Sequence, residues 1–470
     1  MYEITEVTAR VAHTDTRIPF RYGIAEMTRA PHAVIEVRVT DGRRSALGFA
    51  AEQLPPKWFT KDPHSAFRDD LRDMVAVIDN AVRTAIDLRA ASAFALWRQL
   101  DEAQADWGRA HDIPGLLSGL GTALVERAVI DAVCRLEETP FAAALATGVL
   151  GFDAAAIHDE LRGTAFLPQA VDRLHVRHTV GLGDPLTDAE AGASPDTLPV
   201  SLVSSIRRYG LTHLKIKTRA SADEDTERLR RIRALTREEG IDARFTIDGN
   251  ESMTRADDLT EWWETLTADD DLRDWFASGL IAIEQPFARS VALDPAVSHA
   301  LRALPRGTRV IIDESDDAVT TVREAMDLGY AGGTYKGCKG VFRGVANAAL
   351  ITERGRTRPT ILTAEDLATL GPITVPQDIA VAATLGLTHI ERNGHHYFGR
   401  QADLGDDLTE RLADAHPDLY AHQDGRVRLL VTDGAVSTRS ARAAPFGLIP
   451  LPHPDTLPAL TVENATRGID

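Results

Sequence analysis

A (β/α)8 barrel of the TIM type, accompanied by a smaller α+β domain, is the fold the sequence predicts. Three observations predict it. Eight short runs of β-favouring residues alternate with helical segments through the later part of the 470-residue chain. The last residues of these runs fall 23 to 37 positions apart, close to the roughly 30 residues that a βαβ unit needs. Several runs also end abruptly in Lys, Glu or Asp, at the strand ends where barrels place their sites. An open doubly wound sheet would share the alternation, but no GxGxxG follows the first strand of any unit.

Taken in order, YEITEVTARV and HAVIEVRV alternate like half-buried strands, so residues 1–60 read as β-rich, with TDGRR supplying a turn before Ser45. From Pro63 to about Leu145 the pattern becomes helical. Val125, Val129, Val133 and Leu136 fall on one helical face, which reads as core packing. The eight barrel runs are LHVRHTV (174–180), THLKIK (212–217), RFTID (244–248), LIAIE (280–284), RVIID (309–313), GGTYK (332–336), TILT (360–363) and THIE (388–391). RVRLLVTDG and the residues after it read as a strand and coil returning to the N-terminal domain. The expected division is therefore an N-terminal α+β domain over 1–150, a barrel over 151–422 and a returning segment over 423–470.

Composition narrows the function classes. Seventy acidic residues against 52 basic ones give a formal charge of −18, which argues against nucleic acid or an anionic membrane as partner. No apolar stretch approaches the roughly 20 residues of a bilayer span, and the start lacks a signal-peptide pattern. Cys134 and Cys338 form neither a zinc pattern nor a disulfide framework. A cytoplasmic protein is the expectation.

The chemistry lies in the strand ends. Period-two alternation puts Asp248 with Thr246 on one face of RFTID, and Ile247 with Phe245 on the other. Glu284 and Asp313 stand likewise opposite Ile283 and Ile312. Three acids from consecutive strands would converge at the barrel mouth, where they would repel one another unaided. An all-oxygen donor set without Cys or His suits a hard cation, and Mg²⁺ completed by water or substrate is the choice. Lys215 and Lys217 share a face one strand earlier, and Lys336 ends the strand after Asp313. Lys215 would depress the pKa of Lys217 towards that of a useful base, with Lys336 across the substrate from it.

Together Lys215-Ile216-Lys217, Asp248-Gly249-Asn250, Glu284-Gln285-Pro286, Asp313-Glu314-Ser315 and Lys336 resemble the enolase superfamily, in its mandelate racemase/muconate-lactonizing family and specifically the muconate-lactonizing-type branch. The resemblance implies that the N-terminal α+β region is a capping domain, with mobile loops near Phe20–Met27 and Pro55–Phe59 over the mouth. It implies Mg²⁺ on Asp248, Glu284 and Asp313, with Lys217 and Lys336 as acid and base. Such a site would remove the α-proton of a small carboxylate, Lys215 helping to stabilise the enediolate. Racemisation or epimerisation is the favoured outcome; dehydration of an acid sugar and cycloisomerisation are the alternatives. The pattern also departs from relatives. Where the mandelate-racemase branch has a catalytic His after the seventh strand, this chain has Glu365 and Asp366. Where dipeptide epimerases carry Asp-x-Asp after the eighth, it reads IERNGHHYFG.

Candidate substrate contacts are Tyr22, His178, Asn250, Glu365, Glu391, His395 and His396, with loop solvation as the alternative for the later ones. Cys338 and Lys339 are expected to be packing and loop residues. A metal-independent Schiff-base aldolase using Lys336 is the competing enzyme class, and a binding protein without turnover is a third reading. A homo-oligomer is expected.

Overall fold

The computed structural model describes residues 1–166, 168–405 and 407–469. The N-terminal sheet is antiparallel, built from β1 (Tyr2–Tyr22), β2 (Ala25–Thr40), β3 (Ser45–Gln53) and β4 (Arg89–Ala90) in the order β3-β2-β1-β4. Helices Phe67–Ala85, Ala93–Ala110 and Gly115–Leu136 pack beside it. Gly48 is what lets the third helix lie on β3. A Cβ there would stand 2.1 Å from the Ala128 carbonyl oxygen and 2.3 Å from the Ala132 nitrogen.

That helix is buried on more than the one face its apolar spacing marks. Glu126, Arg127 and Asp131 are all buried, because this polar side is pressed between the sheet and the barrel. Glu126 accepts hydrogen bonds from the Val341 and Phe342 amides. Arg127 pairs with Glu52 at 2.9 Å and donates to Gln377 at 3.1 Å. Buried ions survive only with such partners.

The barrel consists of β5 (Arg173–Val180), β6 (His213–Lys217), β7 (Arg244–Asp248), β8 (Leu280–Glu284), β9 (Val310–Ile312), β10 (Gly332–Tyr335), β11 (Ile361–Ala364) and β12 (His389–Arg392). All eight pair in parallel in that order, and β12 pairs with β5 to close the ring. The expected strands are therefore present, with ends shifted by one residue at most. Register aligns the site. Lys217 stands beside Asp248, and Asp248 beside Glu284. Phe245 faces the helices and stacks on Trp275 with ring centroids 4.0 Å apart.

After the barrel, β13 (Tyr420–Gln423) and β14 (Arg426–Leu429) form a hairpin, and β15 (Ala435–Ser437) adds antiparallel to β5. The returning chain then runs beside β1, bonding Val11 N to Pro458 O and Leu460 N to Ala9 O. The Phe20–Met27 segment differs from the loop expected there. Phe20 pairs with Met27 and Tyr22 with Ala25, so it is the tip of the β1–β2 hairpin, shaped by continued alternation. Among the described residues, no helix is long and apolar enough to cross a membrane.

Candidate active site

In the barrel order, β6 and β10 lie four strands apart in either direction around a ring of eight, so their ends are diametrically opposed. Lys215 and Lys217 come from one, and Lys336 follows the other. Asp248, Glu284 and Asp313 rise from the arc between them through β7, β8 and β9. Glu365 and Glu391 rise from the opposite arc, at β11 and β12. Alternation turns these side chains inward.

Lys215 Nζ ties the two arcs together. It lies 2.6 Å from Glu284, 2.5 Å from Glu365, 3.0 Å from Glu391 and 3.1 Å from Asp248. Lys217 Nζ donates to Asp248 Oδ2 at 2.5 Å, and Lys336 Nζ to Asp313 Oδ2 at 2.5 Å. Lys339 holds the other oxygen of Asp313 at 3.0 Å, and the Thr334 hydroxyl donates to it at 2.6 Å. Every one of these charged groups is buried.

The charges set each other's protonation. Burial works against a charge on Lys215, yet Glu284, Glu391 and Asp248 outweigh it and hold its pKa well above the ordinary lysine value. Burial likewise opposes Lys336, and Asp313 raises it nonetheless. Asp248 and Asp313 are held below the ordinary carboxylate range, since Lys217 and Lys215 overcome burial at the first, and Lys336 and Lys339 at the second. Glu391 is held low by Lys215 in the same way. Glu284 goes the other way. Burial and then the Asp248 charge push it up to about 7, and its Oε2 is buried with no hydrogen-bond partner. Glu314 rises to about 8 through burial and then Asp313.

A cavity opens above this network, walled by Lys215, Lys217, Lys336, Glu314 and Glu391, and roofed by Phe20, Tyr22, Pro55 and Trp58. Trp58 sets its ring 4.8 Å from Lys336 Nζ, a cation–π contact that helps fix the ammonium. Asn250 also lines the cavity, in left-handed backbone with φ 45°. Its amide donates to Asp248 Oδ1 at 2.8 Å. The Tyr22 hydroxyl is spent on the Pro56 carbonyl at 2.8 Å, leaving its ring to the cavity.

The structure does not bring every candidate to this cavity. Glu365 lies outside its lining, clamped by Lys215 and Arg177. His178, His395 and His396 lie outside it too. His178 Nδ1 is 3.2 Å from His395 Nε2, and its ring meets His396 at 4.9 Å between centroids. The reason is parity. On β5, Arg177 and Thr179 take the inner face, where Thr179 donates to Glu391 at 2.7 Å, and His178 points the other way. Lys339 is the clearest residue missed. It was expected in a loop, but a 3₁₀ turn over Gly337–Lys339 carries it back to Asp313. The three-residue spacing from Lys336 was the available signal.

The donor chemistry fits a hard cation. Three carboxylates lead from adjacent strand ends, two of them meet at one ammonium, and Glu284 keeps an oxygen unsatisfied. As the side chains stand, the acids close on lysines, and among the described residues no three Asp, Glu, His or Cys are arranged around a metal position.

No family model matches the sequence, and no curated protein matches it. Solved structures do match in fold. A mandelate racemase/muconate lactonizing protein from Herpetosiphon aurantiacus aligns with TM-score 0.57 at 16% identity, over 92% of this chain and 98% of that one. An enolase from Bradyrhizobium, complexed with magnesium and mandelic acid, aligns with TM-score 0.55 at 17% identity over 93% of each chain. A dipeptide epimerase from Methylococcus capsulatus, complexed with Mg and the dipeptide L-Arg-D-Lys, aligns with TM-score 0.53 at 18% identity, over 92% and 99%. The chain thus shares the barrel-plus-capping-domain fold of these proteins over 92–93% of its length.

Proposed function

We propose that this chain is a member of the enolase superfamily, of the mandelate racemase/muconate-lactonizing type, and removes the α-proton of a small carboxylate substrate. The observation that carries this reading is the opposition of Lys217 and Lys336 across one buried cavity, with three strand-end acids on the arc between them.

Asp248, Glu284 and Asp313 are the residues that would hold Mg²⁺, which when bound would draw electron density from the substrate carboxylate and acidify its α-proton. The chain's own groups do the rest. Lys215 is fixed by its carboxylates and stays charged, so its work is electrostatic, stabilising negative charge that develops on the substrate. Lys217 and Lys336 each carry a proton on one side of the cavity. Each is paired here with an acid of the trio, so the same acids that would hold the cation govern when a lysine can act as base. Phe20, Tyr22, Pro55 and Trp58 keep water from the reacting carbon.

With a proton carrier on each side, racemisation or epimerisation is the outcome favoured over β-elimination or cycloisomerisation. A screen of α-substituted carboxylic acids in D₂O with Mg²⁺ tests the reading by following loss of the α-proton signal. Exchange that stops on chelation supports it. Turnover that survives chelator, with borohydride trapping substrate on Lys336, would replace it with a Schiff-base mechanism.

A further inference from the structure

The opposite, N-terminal end of the barrel holds a second cavity of about 510 Å³, lined by His175, His213, Arg244, Arg309, Thr360 and His389 among others, with no carboxylate in its lining. A neighbouring hollow of about 540 Å³ shares Arg244 and Arg309 and also lacks a carboxylate. On a chain of formal charge −18, that is a local reversal of sign. Neither arginine has an ion-pair partner among the described residues. Arg309 Nη1 reaches only the Ile281 carbonyl at 3.2 Å, and its Nε is buried without a partner.

The imidazoles add donors. The His175 and His213 rings stack at 4.4 Å, and His213 and His389 lie 5.8 Å apart, centroid to centroid. His389 Nδ1 lies 2.6 Å from Arg177 Nη1. A guanidinium can only donate, so Nδ1 must accept, and the neutral ring carries its proton on Nε2. Burial and then the charge of Arg177 hold His389 well below the ordinary imidazole value. His213 is held down to about 3 by burial and then by His175, Arg177 and Arg244. Burial keeps these rings neutral, and the neighbouring arginine charges add to it.

We propose that this floor of the barrel is a binding site for a phosphate-type anion, gripped by Arg244, Arg309 and His389 Nε2–H. Guanidinium forks match the oxygens of a phosphate, and both arginines line the same cavity. The site is distinct from the catalytic cavity, with the buried Arg177–Glu365–Lys215 contacts lying between the two.

Calorimetric titration of the metal-free protein with inorganic phosphate, and separately with glycerol phosphate, tests this. Saturable binding of at least one is expected. Arg244→Gln should weaken it by roughly tenfold or more, the loss typical of a charge-assisted contact, and Arg244→Gln with Arg309→Gln further still. Arg83→Gln, on the exposed face of a capping-domain helix, should leave it unchanged. Tighter binding of phosphate assigns a free anion, and tighter binding of the ester a phosphorylated metabolite. Arg309 also supports Ile281, so Arg244→Gln alone serves should the double variant fail to fold. Absence of saturable binding by either ligand, or equal binding by the Arg244→Gln protein, would overturn the proposal.

Discussion

At the C-terminal end of the barrel, Lys215, Lys217, Lys336 and Lys339 are each closed on a carboxylate. At the N-terminal end, Arg244 and Arg309 border a cavity that contains none. The difference shows what each end is prepared to receive. The upper network is balanced and must open to admit a cation or an anionic substrate. The floor carries its arginines without an acid in the lining, which is the environment the proposed anion would complete. One ring of strands therefore supports two electrostatic environments, because alternation and register decide which side chains meet at each level.

The largest effects should come from the upper end. Lys217→Ala should abolish α-proton exchange for one enantiomer and Lys336→Ala for the other, each by about 10²–10⁴-fold, measured by proton NMR in D₂O on both enantiomers of a substrate. Lys336→Ala retaining full exchange in both directions would make the process one-base and remove the case for racemisation.

Next in size is the cation. Mg²⁺ should raise the melting temperature of the native protein, a ligand at 100 times its Kd being worth about 2.7 kcal/mol. Asp248→Asn should largely lose that rise, read by differential scanning fluorimetry against the variant's own metal-free melting temperature, which itself should fall because Lys217 loses its buried partner. An undiminished rise would place the cation elsewhere.

The two ends should respond to pH with opposite sign. Glu284 and Glu314 are raised from 4.5 to about 7 and about 8, so their ionisation costs stability as pH climbs through that window in metal-free protein. The floor histidines are lowered, His213 from 6.5 to about 3, so their contribution is present above pH 6.5 and is lost as pH falls towards 3. The two windows overlap between pH 4.5 and 6.5, where the slopes oppose, so stability without metal should peak there. Glu314→Gln should flatten the alkaline decline and His213→Gln the acid one. If either substitution flattened the other limb, the division of charge between the ends would be wrong.

The smallest effect belongs to Trp58. Replacing it by Leu removes a cation–π contact worth about 0.5–2 kcal/mol, so exchange on the Lys336 side should fall by about 2- to 30-fold. The Lys217 side should be unaffected. Equal loss on both sides would mean that Trp58 serves mainly to exclude water.

Much of this was legible in the sequence, for physical reasons. Barrel strands buried on both faces leave dense apolar runs, so RFTID and LIAIE announce their extent and end on their acids. Alternation also placed Lys215, Asp248 and Glu284 correctly on the inner face. It would have placed His178 outside had it been applied to LHVRHTV, where Arg177 and Thr179 hold the inner parity. The buried polar side of helix Gly115–Leu136 could not be read, because amphipathic spacing marks the apolar face and is silent on whether the polar one meets water or another domain. Trp58 and Phe20 come from a distant part of the chain, and only the family resemblance, not any local pattern, set their segments over the mouth. The floor was invisible for a similar reason. His213, Arg244 and His389 stand as isolated residues at strand starts, and only the closed ring makes them neighbours.

Closure of that ring also governs how the protein can be made. Arg177 and Lys215 emerge early in synthesis, yet Glu365 and Glu391 are added only with the last two barrel strands, and β12 must then pair back with β5. Later still, the segment around Pro458 completes the edge of β1, joining residues some 450 positions apart. Contacts of such sequence separation form slowly, because the loop between them must be closed before the contact repays it. A nascent chain that stops short of β12 lacks the Glu391 partner of Lys215 and leaves β5 without its closing neighbour. Closure thus waits on the last barrel strand, and until it pairs, β5 presents a free edge of the kind that invites aggregation.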